Sequence, residues 1–511
     1  MEKTENSLAE TLLKSSSIIF LLIFITKIFG YLFNSLLTKT VTQSDYGSYT
    51  FAWSVAMFAG GILLLGISSA VGRYVAYYRG KGDEKGLRSV IKTGLILVLL
   101  LTFFSSIFIA GINHLFPDLL SLDIHLMLFI MVVFATQSIG FFFMCVISGY
   151  RRPEIGIIFS TLFAALSFFF VLMATYFGYN FTYILLSILL AFLISNIGGV
   201  IYVFKYFGIS GKFNLNISKQ LIIFGIPLVI IDSANNLLSW ANIYVLKLFQ
   251  GFAEIGIFWA ATITSNVILL FSQPILAIFA PVVAEMYGKK DFEKLAFLSS
   301  YLLERVLMFS SPILIVFLIF PEGILKIIFT KDYTAGAIPL QILSISVFLL
   351  GISMIFRTVI TASGKPQQEA RIIFIAAIMN VALNILLVKL YGILGASIAS
   401  FISSLIILVF SFKYSRVITK IIAYRDRLTK IGISLFISFV FVYLVKLAVL
   451  NLILAFAISI IVLGVSYAIS LVFLKAFRTE DAIILKFVVD KIPLLKKFES
   501  TIFSILEKGT S

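Results

Sequence analysis

The chain has 511 residues, of which 60% belong to the set Ala, Val, Ile, Leu, Met, Phe, Trp, Tyr and Cys and 13% are charged, and its mean hydropathy is +1.09. A soluble domain carries about 45–50% apolar and about 25% charged residues, so the composition excludes a water-soluble globular protein and defines an all-α integral membrane protein. One Cys and two His exclude a disulfide framework and a Cys-rich metal site, and the formal net charge of +16 has to be read from where the basic residues fall.

A membrane-crossing helix needs about 20 mostly apolar residues. In chain order such stretches lie at 15–37, 49–72, 88–112, 124–148, 156–177, 181–204, 219–246, 255–279, 296–320, 337–361, 370–388, 392–412, 430–450 and 452–475, fourteen in all. The first has no small-residue cleavage site, carries Lys27 in its middle and follows Glu2, Glu5 and Glu10, so it is expected to stay on the mature protein rather than act as a signal peptide. With the N-terminus inside and residues near span ends counted with the adjoining loop, 31 of the 40 Lys and Arg fall on the cytoplasmic side, 6 outside and 3 well inside spans (Lys27, Arg305, Arg357). That asymmetry predicts a multi-pass protein of the cytoplasmic membrane with both termini cytoplasmic. It also accounts for the basic charge through attraction to anionic membrane lipids, without nucleic acid. The tail from Glu480 alternates apolar residues with Lys and is expected to lie in the interface as an amphipathic helix.

An internal repeat organises these spans. The segment from Tyr46, YGSYTFAWSVAMFAG, matches the segment from Ile255, IGIFWAATITSNVIL, with Gly47 over Gly256. Next, AYYRGKGDEK from Ala76 lies over AEMYGKKDFE from Ala284, with Asp83 over Asp291. The turn SGYRRP ending at Pro153 lies over SGKP ending at Pro366, and Gly178 falls near Gly392. About 210 residues correspond to six spans, an even number, so both copies enter the membrane the same way round. The expected divisions are a six-helix lobe at 1–210, a second at 211–415, two extra helices at 416–478 and the tail at 479–511. Parallel repeats around a central cavity are one architecture of secondary transporters.

These landmarks, with the YGILGASIAS start of the twelfth span from Tyr391, resemble the polysaccharide-exporter branch of the multidrug/oligosaccharidyl-lipid/polysaccharide flippases, the Wzx-type O-antigen flippases. The resemblance covers residues 10 to about 415 well and the last two spans by number alone. It implies alternating-access movement of a polyprenyl-(di)phosphate-linked oligosaccharide from the inner to the outer leaflet for O-antigen or other surface glycan synthesis. Glycan polymerases or glycosyltransferases are the implied partners.

A polar sugar and its phosphate need a hydrated, preferably cationic path across about 30 Å of hydrocarbon, so charges inside spans are the first candidates. Lys27 and Asn34 share a stripe with Gly30; the bland alternative for Lys27 is snorkelling or bonding to a nearby carbonyl. Arg357 lies a turn or two from the cytoplasmic end of its span, where snorkelling competes. Arg305 follows Glu304, and as helix neighbours they are expected to point to different faces without simply neutralising each other. Asp232 is the acidic residue well inside a span, and it shares one helical face with Asn235, Asn236 and Ser239, with Asn242 near by and Pro227 upstream. That face suits a coupling proton or sodium ion or sugar hydroxyls; the alternative is a neutral Asp232 or one paired with Lys27 or Arg305. Trp240 and the strip Tyr46, Tyr49, Tyr74, Tyr77 and Tyr78 can stack on sugars or form an interfacial belt. His114 and His125 are too few and too far apart for a metal site, and Cys145 reads as packing.

Two other transport readings stay open: a drug or cation antiporter and a murein-precursor (lipid II) flippase. Lys27 and Arg357 favour an anionic lipid-linked substrate, while Asp232 leans toward a cation. A multispan glycosyltransferase is the remote alternative, because Asp118 and Asp123 form the sole outer acidic near-pair and lack an obvious base or metal partner. No G-x-x-x-x-G-K-[ST] loop occurs to cradle ATP, so no cofactor is expected and a proton or sodium gradient is the candidate energy source.

Overall fold

A computed structural model of the chain describes residues 2–115, 122–208, 210–270, 272–419 and 425–477. The expected tail helix and Asp118 lie outside the described residues. Helices account for nearly all of the described chain: α1 (Glu2–Thr40), α2 (Gln43–Leu63), α3 (Ile67–Lys81), α4 (Glu84–Leu115), α5 (Ile124–Gly149), α6 (Pro153–Tyr176), α7 (Phe181–Tyr206), α8 (Leu215–Phe249), α9 (Phe252–Ser265), α10 (Ser272–Gly288), α11 (Phe292–Ile319), α12 (Pro321–Ile328), α13 (Ala337–Ala362), α14 (Pro366–Tyr391), α15 (Ile393–Thr419), α16 (Arg425–Ala448) and α17 (Leu452–Phe473). Hydrocarbon offers backbone amides no partner, so a spanning segment must satisfy them internally, and the helix does so. Among the described residues, twelve helices are long and apolar enough to cross a membrane, or up to fourteen if each of two bent pairs counts as one span. Phe103, Phe104 and Phe108 of α4 stand exposed, as lipid-facing side chains do.

Helix boundaries follow residues visible in the sequence. Asp123, Asn180, Asn214 and Asn451 each accept a backbone N–H in the first turn of the helix they precede, and Pro153 begins α6 at a position where its missing N–H is harmless. The repeat is just as local. Gly82 and Lys290 occupy equivalent left-handed positions, with φ of 70° and 59°. Their turns carry matching bonds, Gly82 N–H to the Arg79 carbonyl and Asp83 N–H to Tyr78 in one, Lys290 N–H to Tyr287 and Asp291 N–H to Met286 in the other. Asp83 and Asp291 then cap α4 and α11 through Gly86 N–H and Lys294 N–H. The SGYRRP and SGKP turns repeat the pattern at Arg151 and Gly364, whose φ values are 60° and 76°.

Three of the expected spans are bent or broken; in 219–246, Leu215–Val229 and Asp232–Phe249 meet at 42° within α8. Residues 49–72 fall on α2 and α3, which meet at 54°, because Leu65 and Gly66 take φ of 48° and 64°. A Cβ on Gly66 would stand 2.5 Å from the Gly225 carbonyl oxygen, so bare backbone is required where this break rests on α8. Residues 255–279 fall on α9, a 3-10 turn at Asn266–Leu270 and α10. With the repeats aligned, Leu65–Gly66 falls over Pro274–Ile275, so the break in the second copy comes earlier in its span than the one in the first.

The helices pack into two compact units. One comprises Met1–Thr264, Ile328–Pro339 and Gln367–Ile406, and the other Ser265–Ile327, Leu340–Pro366 and Ile407–Ser511. In the first unit α1 lies on α6, α6 on α7, α5 against α2, α3 and α7, and α8 against α2 and α3. In the second, α16 and α17 form a hairpin packed on α11, and the Lys446 ammonium donates to the Ile319 carbonyl at 2.7 Å.

Within the first unit the equivalent glycines of the repeat touch. A Cβ on Gly47 would fall on the Phe252 carbonyl oxygen and stand 2.9 Å from Gly256 N, and one on Gly256 would stand 2.5 Å from the Gln43 carbonyl oxygen. Small residues that let backbones meet are a standard means of joining membrane helices. Gly47→Ala should therefore destabilise the protein by about 1–3 kcal/mol or more through overpacking. Gly464→Ala, with open space around its Cβ, should be neutral or stabilising by up to about 1 kcal/mol. Thermal unfolding of both variants in detergent micelles checks the contrast.

Candidate functional site

The Gly47–Gly256 contact sets α2 beside α9, and one turn further along both helices a cavity opens. It has a volume of about 180 Å³ and is lined by Gly30, Phe33 and Asn34 of α1, Tyr49, Thr50 and Trp53 of α2, Phe163, Ala164 and Ser167 of α6, Trp240 of α8 and Trp259 of α9. All of these residues belong to the first compact unit. Thr50 and Trp259 are equivalent positions of the two repeats, so both copies contribute a wall.

The walls are aromatic and paired. The Trp53 ring stacks on Phe163 with centroids 5.8 Å apart and planes 4° from parallel, and Trp240 stacks on Trp259 at 5.1 Å and 23°. The chain has three Trp in total, and all three line this one cavity. Its polar groups are few. The Asn34 amide is fixed at both ends, donating to the Gly30 carbonyl at 2.7 Å and accepting from the Tyr46 hydroxyl at 2.8 Å. The Thr50 hydroxyl donates to the Tyr46 carbonyl at 2.8 Å. The Ser167 hydroxyl is buried and makes no hydrogen bond among the described residues. No lining side chain is charged.

Of the residues the sequence singled out, Asn34 and Trp240 are brought together here, 206 positions apart. Lys27 is exposed on α1 one turn before Gly30 and is not among the lining residues. Asp232 and Asn236 are half-buried on α8, while Asn235 and Ser239 are exposed. Within that face Asn236 donates to the Asp232 carbonyl at 3.0 Å and Ser239 to the Asn235 carbonyl at 2.9 Å. Asn236 also packs on the bare backbone of α2, its Nδ2 lying 2.6 Å from where a Gly61 Cβ would be. No ion pair joins Asp232 to Lys27 among the described residues.

Arg305 and Arg357 belong to the second compact unit. Arg357 is half-buried on α13. Arg305 corrects an expectation: although adjacent in sequence, its guanidinium lies 3.6 Å from the Glu304 carboxylate, and both side chains are buried. The long Arg stem curls back far enough to overcome the angle between neighbouring helix positions. The same guanidinium lies over the Tyr301 ring at 5.0 Å and donates to Met308 Sδ at 3.2 Å.

Sequence reasoning missed Trp53, Trp259 and Ser167. The signal for the two tryptophans was present, since both fall in the segments that define the repeat; nothing in the sequence distinguishes Ser167 from other serines in spans. The position of Trp240 is held from behind by Asn242, which donates to Ser400 Oγ at 2.9 Å and accepts from Asn384 Nδ2 at 2.7 Å. Asn384 further bonds Asn380, which donates to Ser403 Oγ at 3.1 Å, so a buried amide network ties α8 to α14 and α15.

Comparisons with known proteins match this fold. The family described as polysaccharide biosynthesis protein matches residues 12–287, and the MatE family matches residues 227–386. The chain belongs to the polysaccharide biosynthesis protein family, in the polysaccharide branch of the multidrug/oligosaccharidyl-lipid/polysaccharide flippase superfamily. It is 30% identical over 224 residues to the capsular polysaccharide biosynthesis protein CapF of Staphylococcus aureus, covering 42% of this chain and 55% of that one. It is 24% identical over 165 residues to the probable low-salt glycan biosynthesis flippase Agl15 of Haloferax volcanii, covering 32% and 35%. The chain thus spans about half or less of the length of these curated relatives. Among solved structures, the lipid II flippase MurJ in an inward closed conformation superposes with a TM-score of 0.70 at 16% identity, covering 88% of this chain and 97% of that one. An inward-facing multidrug resistance MATE family transporter gives 0.64 at 15%, covering 77% and 96%. At these identities the likeness establishes the fold: an α-helical multi-pass membrane protein.

The amide network is expected to act as one unit. Asn384→Leu and Asn242→Leu should each destabilise by about 1–3 kcal/mol. The double variant should lose less than the sum because the two residues share a bond. Unfolding midpoints of the three variants in micelles measure this.

Proposed function

We propose that this protein moves a polyprenyl-(di)phosphate-linked oligosaccharide from the inner to the outer leaflet of the cytoplasmic membrane by alternating access, for the synthesis of a surface polysaccharide. The observation that carries this reading is the cavity walled by tryptophans from both repeats, in a chain of the family described as polysaccharide biosynthesis protein. The names of Agl15 and CapF, a glycan biosynthesis flippase and a capsular polysaccharide protein, support a glycan as cargo. In this reading the lobes 1–210 and 211–415 rock about their shared repeat axis, the basic turns and both termini face the cytoplasm, and glycan polymerases or glycosyltransferases act on either side of the transport step. An O-antigen unit is one member of the cargo class.

Four intramembrane charges have roles in this proposal. Lys27 and Arg357 attract the anionic phosphate of the carrier, and Asp232 responds to a coupling proton or sodium ion. Arg305, held by Glu304, serves the same cationic path from a fixed position.

Reconstituted liposomes test the reading. Movement of a polyprenyl-diphosphate oligosaccharide with and without proton and sodium gradients is compared with movement of a cationic dye. Glycolipid movement alone is expected; dye movement alone would make the protein a cation antiporter. In the same assay Lys27→Ala and Arg357→Ala should lower transport at least tenfold with expression unchanged, and full activity in both would remove the cationic path. Asp232→Asn should shift the pH or ion dependence of the rate, and an unshifted profile would leave Asp232 a structural residue.

A further inference from the structure

We infer that the tryptophan cavity is a subsite for one neutral sugar ring, separate from whatever holds the carrier phosphate; this rests on the transport reading above and names the part of the cargo that the cavity takes. Its size comes first. At about 180 Å³ it is smaller than the 300–1,000 Å³ usual for small-molecule pockets, so it admits a single ring rather than an oligosaccharide.

Its chemistry then selects the ring. Aromatic faces carry the negative side of the ring quadrupole, and the flat face of a pyranose presents C–H groups of the opposite polarity. Trp53 with Phe163 and Trp240 with Trp259 supply two such stacked walls. At the edge of a pyranose are hydroxyls, and beside the cavity the Ser167 hydroxyl is 2% exposed and makes no hydrogen bond among the described residues. A buried hydroxyl without a partner is destabilising, and a sugar hydroxyl supplies that partner. A hydrocarbon tail would fill the space and leave Ser167 unsatisfied.

Charged occupants fit less well. No lining side chain is cationic, so a diphosphate would enter without a counter-charge, at the desolvation penalty of a bare ion. Aromatic walls do attract cations. Here, however, no carboxylate lines the cavity to pair with one.

The tryptophans make the test direct, because all the indole emission of the chain arises at this site. The full-length protein in zwitterionic nanodiscs is titrated with neutral methyl glycosides, glucuronate, inorganic diphosphate and tetraphenylphosphonium. The neutral glycosides are expected to change the emission saturably, glucuronate to bind at least tenfold more weakly, and diphosphate to have no effect. Ser167→Ala keeps every reporter and should weaken glycoside binding about 2- to 10-fold, the worth of one hydrogen bond. Trp240→Phe keeps a stacking ring and should still bind.

Silence toward every neutral glycoside, a response to tetraphenylphosphonium alone, or equal affinity in Ser167→Ala each overturns the assignment. Glycolipid transport in liposomes separates the two levels. Transport with unresponsive tryptophans removes the sugar subsite and leaves the transport reading standing, whereas a sugar response without transport does the reverse.

Discussion

Two glycines meeting backbone to backbone set the geometry of the site. Gly47 and Gly256 are equivalent residues of the two sequence repeats, and neither has room for a Cβ. Their contact brings α2 and α9 close enough that Thr50 and Trp259, one turn further along, face the same cavity. In a bilayer no hydrophobic force pulls helices together, so such close approaches and interhelical hydrogen bonds do the joining. The Asn242–Asn384–Asn380–Ser403 network supplies the second kind behind Trp240.

Polar and charged groups are distributed unevenly around this frame. The cavity itself is aromatic, with one amide held at both ends, the bonded Thr50 hydroxyl and the buried Ser167 hydroxyl, which has no partner among the described residues. Lys27 lies a turn away, Asp232 two turns from Trp240 on α8, and Arg305 is engaged by Glu304 in the second unit. The neutral stacking surface is thus distinct from the intramembrane charges, which is what the proposed cargo of sugar, phosphate and lipid requires.

Much of this was legible in the sequence because it depends on local rules. The left-handed turns at Gly82 and Lys290, and at Arg151 and Gly364, are encoded in short matching segments, so the repeat could be aligned by eye. The kinks were less legible: Leu65–Gly66 lies inside an unbroken apolar stretch, and its φ values of 48° and 64° arise where α8 presents the Gly225 carbonyl. The Glu304–Arg305 pair was misread because helix geometry fixes the direction of Cβ but not the reach of a four-bond stem.

The sequence by itself determined that the chain is a membrane protein, that it carries about fourteen apolar segments of spanning length, that matching segments recur along it about 210 residues apart, and which family it resembles. These follow from composition, span length and repeated turn chemistry, all properties of residues near one another in the chain. Only the tertiary structure decided that Trp53, Trp240 and Trp259 share one cavity, that Ser167 lies beside it with a free hydroxyl, and that Asn242 and Asn384 bond across 142 positions. Side chains so distant in sequence meet only through helix packing, and packing is set by the close contacts of small residues, a quantity that no single stretch of sequence carries.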